Sequence, residues 1–393
     1  MPTHDHGHDH SHGSDEHDGD GERIRILAID VGAGTQDILL YDSSRTPENC
    51  IKLVLPSQTQ IVAGRIRQVT AAGQALHLAG HLMGGGASSG AVAAHLAAGL
   101  VVTATAEAAR TLHNDPARVV RMGVCVRESA PPGAVTVELM DVDLAGLAAA
   151  LEPFGVALPE LVAVAVQDHG YRPGSGNNDV RFEYLQGLLD GGGDLSRMAY
   201  RRPPEGMTRM QAVADTVPGA FLMDTGAAAV LGALGDPVIA RAVREGGAGA
   251  GAILVNAGNM HTFATLVKGR RLYGFFEHHT GGITPEIIED LVARLRAGAI
   301  DNETFMRDFD GHGAAIDPAY RREGPFHFVA VTGPNRELAR PLGYHEAAPH
   351  GDMMLTGSFG LVEAVLMALA RNGVDHGISL IPGEMSGEWQ VAG

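Results

Sequence analysis

Residues Ile24 to Tyr41 read IRILAIDVGAGTQDILLY: an apolar run ending on Asp30, then Val31-Gly32-Ala33-Gly34-Thr35-Gln36, then a second apolar run from Ile38. Aliphatic and β-branched residues on both sides of closely spaced glycines predict strand, tight turn, strand. Glycines two apart turn successive backbone N–H groups toward one point, which suits phosphate oxygens. Thr35 adds a hydroxyl donor. Asp30, at the tip of the first strand, is placed to hold Mg²⁺ through water, since that ion keeps much of its hydration shell. The same letters also describe an ordinary hairpin whose aspartate caps a turn. No Lys-Ser/Thr follows the glycines, so the stretch is not a Walker loop.

The pattern returns in the second half of the chain. Ala252–Val255 reads as a strand, Asn256-Ala257-Gly258-Asn259-Met260-His261 as a turn and Thr262–Val267 as a second strand, with Leu272–Phe276 continuing the sheet. Pro285–Ala297 is an amphipathic helix with proline in its first turn. Phe326–Val331 runs into Thr332-Gly333-Pro334-Asn335-Arg336, and Asp352 to Ser358 leads into a helix over Phe359–Ala370. Two openings with one grammar predict two related α/β domains facing one another across a cleft, over residues 23–236 and 252–393. The glycine-rich stretch from Arg244 to Gly251 is the linker between them.

Between the two openings, strands alternate with helices. Ile51–Leu55, Leu76–Gly80, Leu100–Thr103 and Arg121–Val126 read as strands; Ile66–Ala75, Ala91–Ala98 and Leu144–Leu151 as helices. The glycine loop before Ala91 either binds an anion at a helix start or allows close packing, and packing is favoured. Leu161–Val166 is a continuous apolar run, as a strand buried on both faces would be. It ends in Gln167-Asp168-His169, and open α/β sheets place ligands at such strand ends. Asp168 is the candidate to orient a hydroxyl or water, His169 a substrate contact, and Gln167 completes the group; the competing reading makes Asp168 a helix cap. Tyr171–Val180 reads as a loop over that edge. Asp224 or Thr225 is a natural N-cap for a small-residue helix, Ala227–Leu234.

Composition narrows the function. A chain of 393 residues is too long for one ordinary core. A net charge of −17 argues against nucleic acid or an anionic membrane surface as partner. No apolar run is long enough for a membrane span, and no apolar signal core opens the chain, so the expected location is the cytoplasm. Residues 1–22 interleave His4, His6, His8, His10, His12 and His17 with acidic residues and lack apolar periodicity. Such a tail is expected to be disordered and to bind Ni²⁺ or Zn²⁺, functionally or incidentally.

Together these motifs resemble the actin, heat-shock-chaperone and sugar-kinase superfamily of ATP-using proteins, whose domains are ribonuclease H-like. The resemblance implies two actin-like ATPase domains with Mg-ATP in the cleft. Gly32, Gly34, Thr35 and Gln36 match its first phosphate loop, and Asn256, Gly258, Asn259 and Thr262 its second. Gly333, Asn335, Gly357 and Ser358 match its adenosine side, while Asp224–Leu234 matches its first connecting helix. Two positions depart: Asn256 stands where many relatives carry aspartate, and Pro334 replaces a frequent glycine. ILAIDVGAGTQDILLYD, VNAGNMHT and GDMMLTGSFG are further similar to a family labelled pyruvate formate-lyase activating enzyme. That radical chemistry needs three closely spaced cysteines, and this chain has only Cys50 and Cys125. The expected function is therefore that of an ATPase or small-molecule phosphotransferase acting on an unidentified small molecule or partner protein. Two other readings are a metal-handling accessory protein, with the histidine tail as carrier and the ATPase fold as switch, and a fold that binds ligand without turnover.

Overall fold

The computed structural model describes residues 23–176, 178–244 and 250–383. The histidine tail and most of the Arg244–Gly251 linker lie outside these residues. Among the described residues fifteen strands run in chain order: β1 (Arg25–Val31), β2 (Thr35–Asp42), β3 (Ile51–Pro56), β4 (Leu76–Gly80), β5 (Val102–Ala104), β6 (Val124–Val126) and β7 (Val135–Leu139). There follow β8 (Leu161–Val166), β9 (Phe221–Met223), β10 (Ala252–Ala257), β11 (His261–Lys268), β12 (Arg271–His279), β13 (Gly311–Ile316), β14 (Phe328–Thr332) and β15 (His345–Glu346).

The first sheet has the order β3-β2-β1-β8-β9, antiparallel through its first three strands and parallel from β1 to β9. The second has the order β13-β12-β11-β10-β14-β15. Without β13 it repeats the first sheet strand for strand, β10 pairing antiparallel to β11 and parallel to β14 as β1 pairs with β2 and β8. This is the ribonuclease H-like order of actin-like domains, present twice.

Between β3 and β8 the chain builds a further lobe, a wholly parallel sheet of order β6-β5-β4-β7 covered by the helices Gln58–Ala71 and Gly86–Ala97. Its boundaries differ from the sequence reading. The first helix begins at Gln58 and ends at Ala71, and the second begins at Gly86, inside the stretch read as loop. The segment read as a strand from Arg121 is helical up to that residue, with β6 confined to Val124–Val126. The loop after β8 gives way at Asp179 to a helix reaching Asp190, which apolar periodicity did not reveal.

One core joins the two repeats. Along β1, Ile26 and Ala28 point to it while Leu27, Ile29 and Val31 point to the opposite face; along β10, Ala252 and Leu254 do the same. The helices Thr225–Ala233 and Thr356–Arg371 fill the space between the sheets. They touch backbone to backbone: a Cβ on Gly232 would lie 1.7 Å from the Thr356 carbonyl oxygen, and one on Gly360 1.9 Å from that of Ala228. Small residues at this crossing let the sheets converge on one cavity.

Candidate functional site

Strand alternation decides what enters the space between the repeats. Asp30 follows Ile26 and Ala28 on the inner face of β1, and Asn256 follows Ala252 and Leu254 on β10. Asp37, in register with Asp30 on β2, shares that face with Leu39 and Tyr41. The matching position on β11 is Phe263, paired with Asn256, so at this strand pair the carboxylates come from the first repeat.

The two glycine turns have the same internal bond. Gly32 donates its N–H to the Thr35 carbonyl at 2.9 Å, and Gly258 donates to that of His261 at 2.9 Å. The turns meet: a Cβ on Gly34 would stand 2.8 Å from Asn259 Nδ2. Behind them lies a cavity of about 480 Å³, within the range of small-molecule sites. Its walls include both turns, the glycine loop after β4 and the Gln167–Gly170 segment after β8.

Of the residues read from sequence, Asp30, Gly32, Thr35, Gln167, Asp168, His169, Asn256, Gly258, Asn259, Gly333 and Gly357 line this cavity. Gly34, Gln36, Thr262, Asn335 and Ser358 lie outside this lining. Gly34 is the close approach to Asn259. Gln36 donates its amide to the Pro56 carbonyl at 3.0 Å, and Thr262 is fully buried against Thr280. Asn335 braces the second turn through the Gly258 carbonyl at 2.8 Å, and Ser358 donates to the Asp37 carbonyl at 2.6 Å.

Asp168 is held by backbone N–H groups. Its Oδ1 accepts the Gly170 N–H at 2.7 Å and its Oδ2 accepts those of Arg209 and Met210 at 2.8 and 2.9 Å. The carboxylate therefore caps the helix Thr208–Thr216, the competing reading from sequence, and is only 2% exposed. His169, one residue on, has its ring exposed to the cavity.

Asp30 Oδ1 and Asp37 Oδ1 are buried without a hydrogen-bond partner. Burial first, then the neighbouring Asp37 and Asp224, push the Asp30 carboxyl well above its usual range. Burial pushes Asp37 up to about 7, with the Thr35 hydroxyl opposing and Asp352 adding to the rise. Two protonation-prone carboxyls with orphaned oxygens on one face fit a hard cation, which takes oxygen ligands.

Sequence reasoning missed the group at the far side of the cavity. Arg181, fully buried on the helix Asp179–Asp190, donates from Nε to Glu277 Oε2 and from Nη1 to Asp224 Oδ2, both at 2.7 Å. Gln167 Nε2 donates to Glu277 Oε1 at 2.9 Å. Burial raises the Glu277 carboxyl, but Arg181 outweighs it and the group sits at about 2, ionised. The one available signal was a charge in an apolar strand, Glu277 within LYGFFEHH.

Beside Glu277 stand three histidines on separate strands or strand ends. His261 Nε2 and His312 Nε2 are 2.9 Å apart, and the His169 ring centroid is 4.7 Å from that of His312. Burial foremost holds His261 at about 3 and His312 at about 4.

Residues 83–338 match the family described as "Putative pyruvate format-lyase activating enzyme (DUF1786)". The chain belongs to this family. The DUF1786 span takes in the second turn, Asp168, Arg181, Glu277 and the three histidines, whereas Asp30 and Asp37 lie before it. No curated protein matches the chain in sequence. Two solved structures of the Aquifex aeolicus PPX-GPPA enzyme are similar at 9% and 8% identity, each with a TM-score of 0.25. Each covers 79% of this chain, and the likeness spans 68% and 67% of their own. The fold is established by the strand order of the two sheets. Among the described residues no single helix is long and apolar enough to cross a membrane.

Proposed function

We propose that the cavity binds a nucleotide with Mg²⁺, ATP being the expected form, with its phosphates between the two glycine turns. The observation that carries this reading is the repeated turn: Gly32 and Gly258 close the same bond at the ends of equivalent strands, and the turns touch at Gly34 and Asn259. Backbone N–H groups on both sides then face one anionic ligand, stabilising its charge where a side chain would take the space.

Asp30 and Asp37 are the residues that would hold the metal, directly or through its water shell. When bound, Mg²⁺ would neutralise phosphate charge and make phosphoryl transfer to water or a small acceptor a matter of positioning. Asn256 can exchange hydrogen bonds with the ligand but adds no charge, so the metal belongs to the first repeat. Asp168 supplies no base in this reading, because its oxygens are taken up in capping. The Arg181–Glu277 pair and Gln167 hold the back wall of the cavity and fix how far the repeats stand apart.

Thermal unfolding with and without nucleotide tests the reading. At about a hundred times its dissociation constant, Mg-ATP should add roughly 2.7 kcal/mol to the unfolding free energy. Equal melting temperatures with saturating Mg-ATP, Mg-ADP and neither would remove nucleotide from the cavity.

A further inference from the structure

We propose that His169, His261 and His312 form a second cation site, for a divalent first-row transition metal of the zinc class, bridging the two repeats at the cavity. The inference stands apart from the nucleotide reading, since it uses none of the phosphate-turn side chains except His261.

The geometry comes first. One ring nitrogen from each histidine lies within 4.8 Å of the other two. Zinc–nitrogen bonds of about 2.0–2.1 Å in a tetrahedral site place ligand nitrogens roughly 3.3 Å apart. The 2.9 Å between His261 and His312 must open slightly, and His169 must close in. His169 has the freedom to do so: it follows the end of β8, and its ring is exposed to the cavity. His261 opens β11 and His312 lies on β13, so one ligand comes from the first repeat and two from the second.

The surroundings favour a cation. Nδ1 of His261 and Nδ1 of His312 are buried and unpartnered, so beyond the bond between their Nε2 atoms no hydrogen bond fixes the tautomer of either ring. With each ring's proton on Nδ1, both Nε2 lone pairs face one space, where a cation can accept them. Arg181 faces two carboxylates, Asp224 and Glu277, which leaves one net negative charge in the adjoining network. Three neutral imidazoles suit zinc, iron, cobalt or nickel better than magnesium or calcium. Three protein ligands with a fourth position toward open space is the pattern of sites that admit water or a ligand oxygen, and here that space is the cavity.

A neighbouring ring provides the control. His279 lies 5.1 Å from His261 and 4.9 Å from His312 between centroids, but its Nδ1 is 3.0 Å from Asp310 and it is not one of the three.

The test is zinc retained by the full-length protein after dialysis against a chelator, measured by elemental analysis. The N-terminal histidines then contribute the same background to every variant. His169→Ala should lose one equivalent relative to wild type, His169→Cys should keep it because a thiolate also ligates zinc, and His279→Phe should keep it. His169 is exposed to the cavity, so these changes leave the core packing intact, and circular dichroism checks the fold. Equal zinc in wild type and His169→Ala overturns the proposal. Equal loss in His279→Phe and His169→Ala also overturns it, by assigning the effect to ring packing.

Discussion

Asp30 and Asp37 face one another across β1 and β2, each with a buried carboxylate oxygen that meets no hydrogen-bond partner. Without a cation this arrangement works against folding as pH rises. The Asp37 carboxyl titrates at about 7 in the folded chain against an ordinary 3.8, so the folded state holds a proton that the unfolded state has released. Stability is then greatest below about pH 4 for this group and falls between 4 and 7, by on the order of 4 kcal/mol at most. Asp30, Asp352 and the Thr35 hydroxyl are the groups that face or modulate it. In chelator, Asp37→Asn should flatten that decline and raise the melting temperature at pH 8. Urea unfolding at several pH values checks this, and an unchanged slope would show that Asp37 ionises normally.

Arg181 joins the repeats through Asp224 and Glu277 with no solvent contact. Arg181→Met removes the only guanidinium between two buried carboxylates and should cost about 3–5 kcal/mol of unfolding free energy. Chemical denaturation measures it. A cost below about 1 kcal/mol would mean that water reaches both carboxylates.

Asp168 has the geometry of a cap. Asp168→Ala should lower stability by about 1–2 kcal/mol while leaving nucleotide affinity within a factor of a few. If turnover of a bound nucleotide falls 10²-fold or more with affinity unchanged, in a protein as stable as wild type, Asp168 acts on the reacting atoms as a base.

Gly232 and Gly360 allow the helices between the sheets to touch. Gly232→Ala places a Cβ within 1.7 Å of a backbone oxygen and should destabilise by several kcal/mol, as overpacking of a rigid core does. Gly64, inside the helix Gln58–Ala71, has open space where its Cβ would be. Gly64→Ala should therefore stabilise by roughly 0.4–1 kcal/mol. Paired thermal scans test the contrast; equal effects would mean that the two helices are not in backbone contact.

Local features were legible in the sequence because they depend on neighbours along the chain. The turns at Gly32 and Gly258 showed through glycine spacing between apolar runs, and β8 through its unbroken run of small and branched residues. Period-two alternation, carried from Ile26 and Ala28, would even have put Asp30 on the inner face. The far wall was not legible. Arg181, Glu277 and His312 are distant in sequence and meet only when both sheets are in place, so no local pattern links them. Ser358 and Thr262 show the converse: a motif does not say where its side chain turns. Their motifs match an adenosine-side loop and a phosphate loop, while helix and strand packing turn their hydroxyls toward Asp37 and Thr280. The inserted lobe was read as a continuation of the first domain because each of its strands is short and its sheet order cannot be seen from local pattern.

Calorimetric titration of ATP, with Mg²⁺ and with chelator, into the wild-type protein and Asp30→Asn tests the central claim most directly. The account predicts saturable binding at one site in wild type that weakens when Mg²⁺ is withdrawn. In Asp30→Asn the metal-dependent gain should shrink by tenfold or more, while metal-free binding stays as in wild type. No heat of binding in wild type, or Mg-ATP affinity in Asp30→Asn equal to wild type, would contradict it.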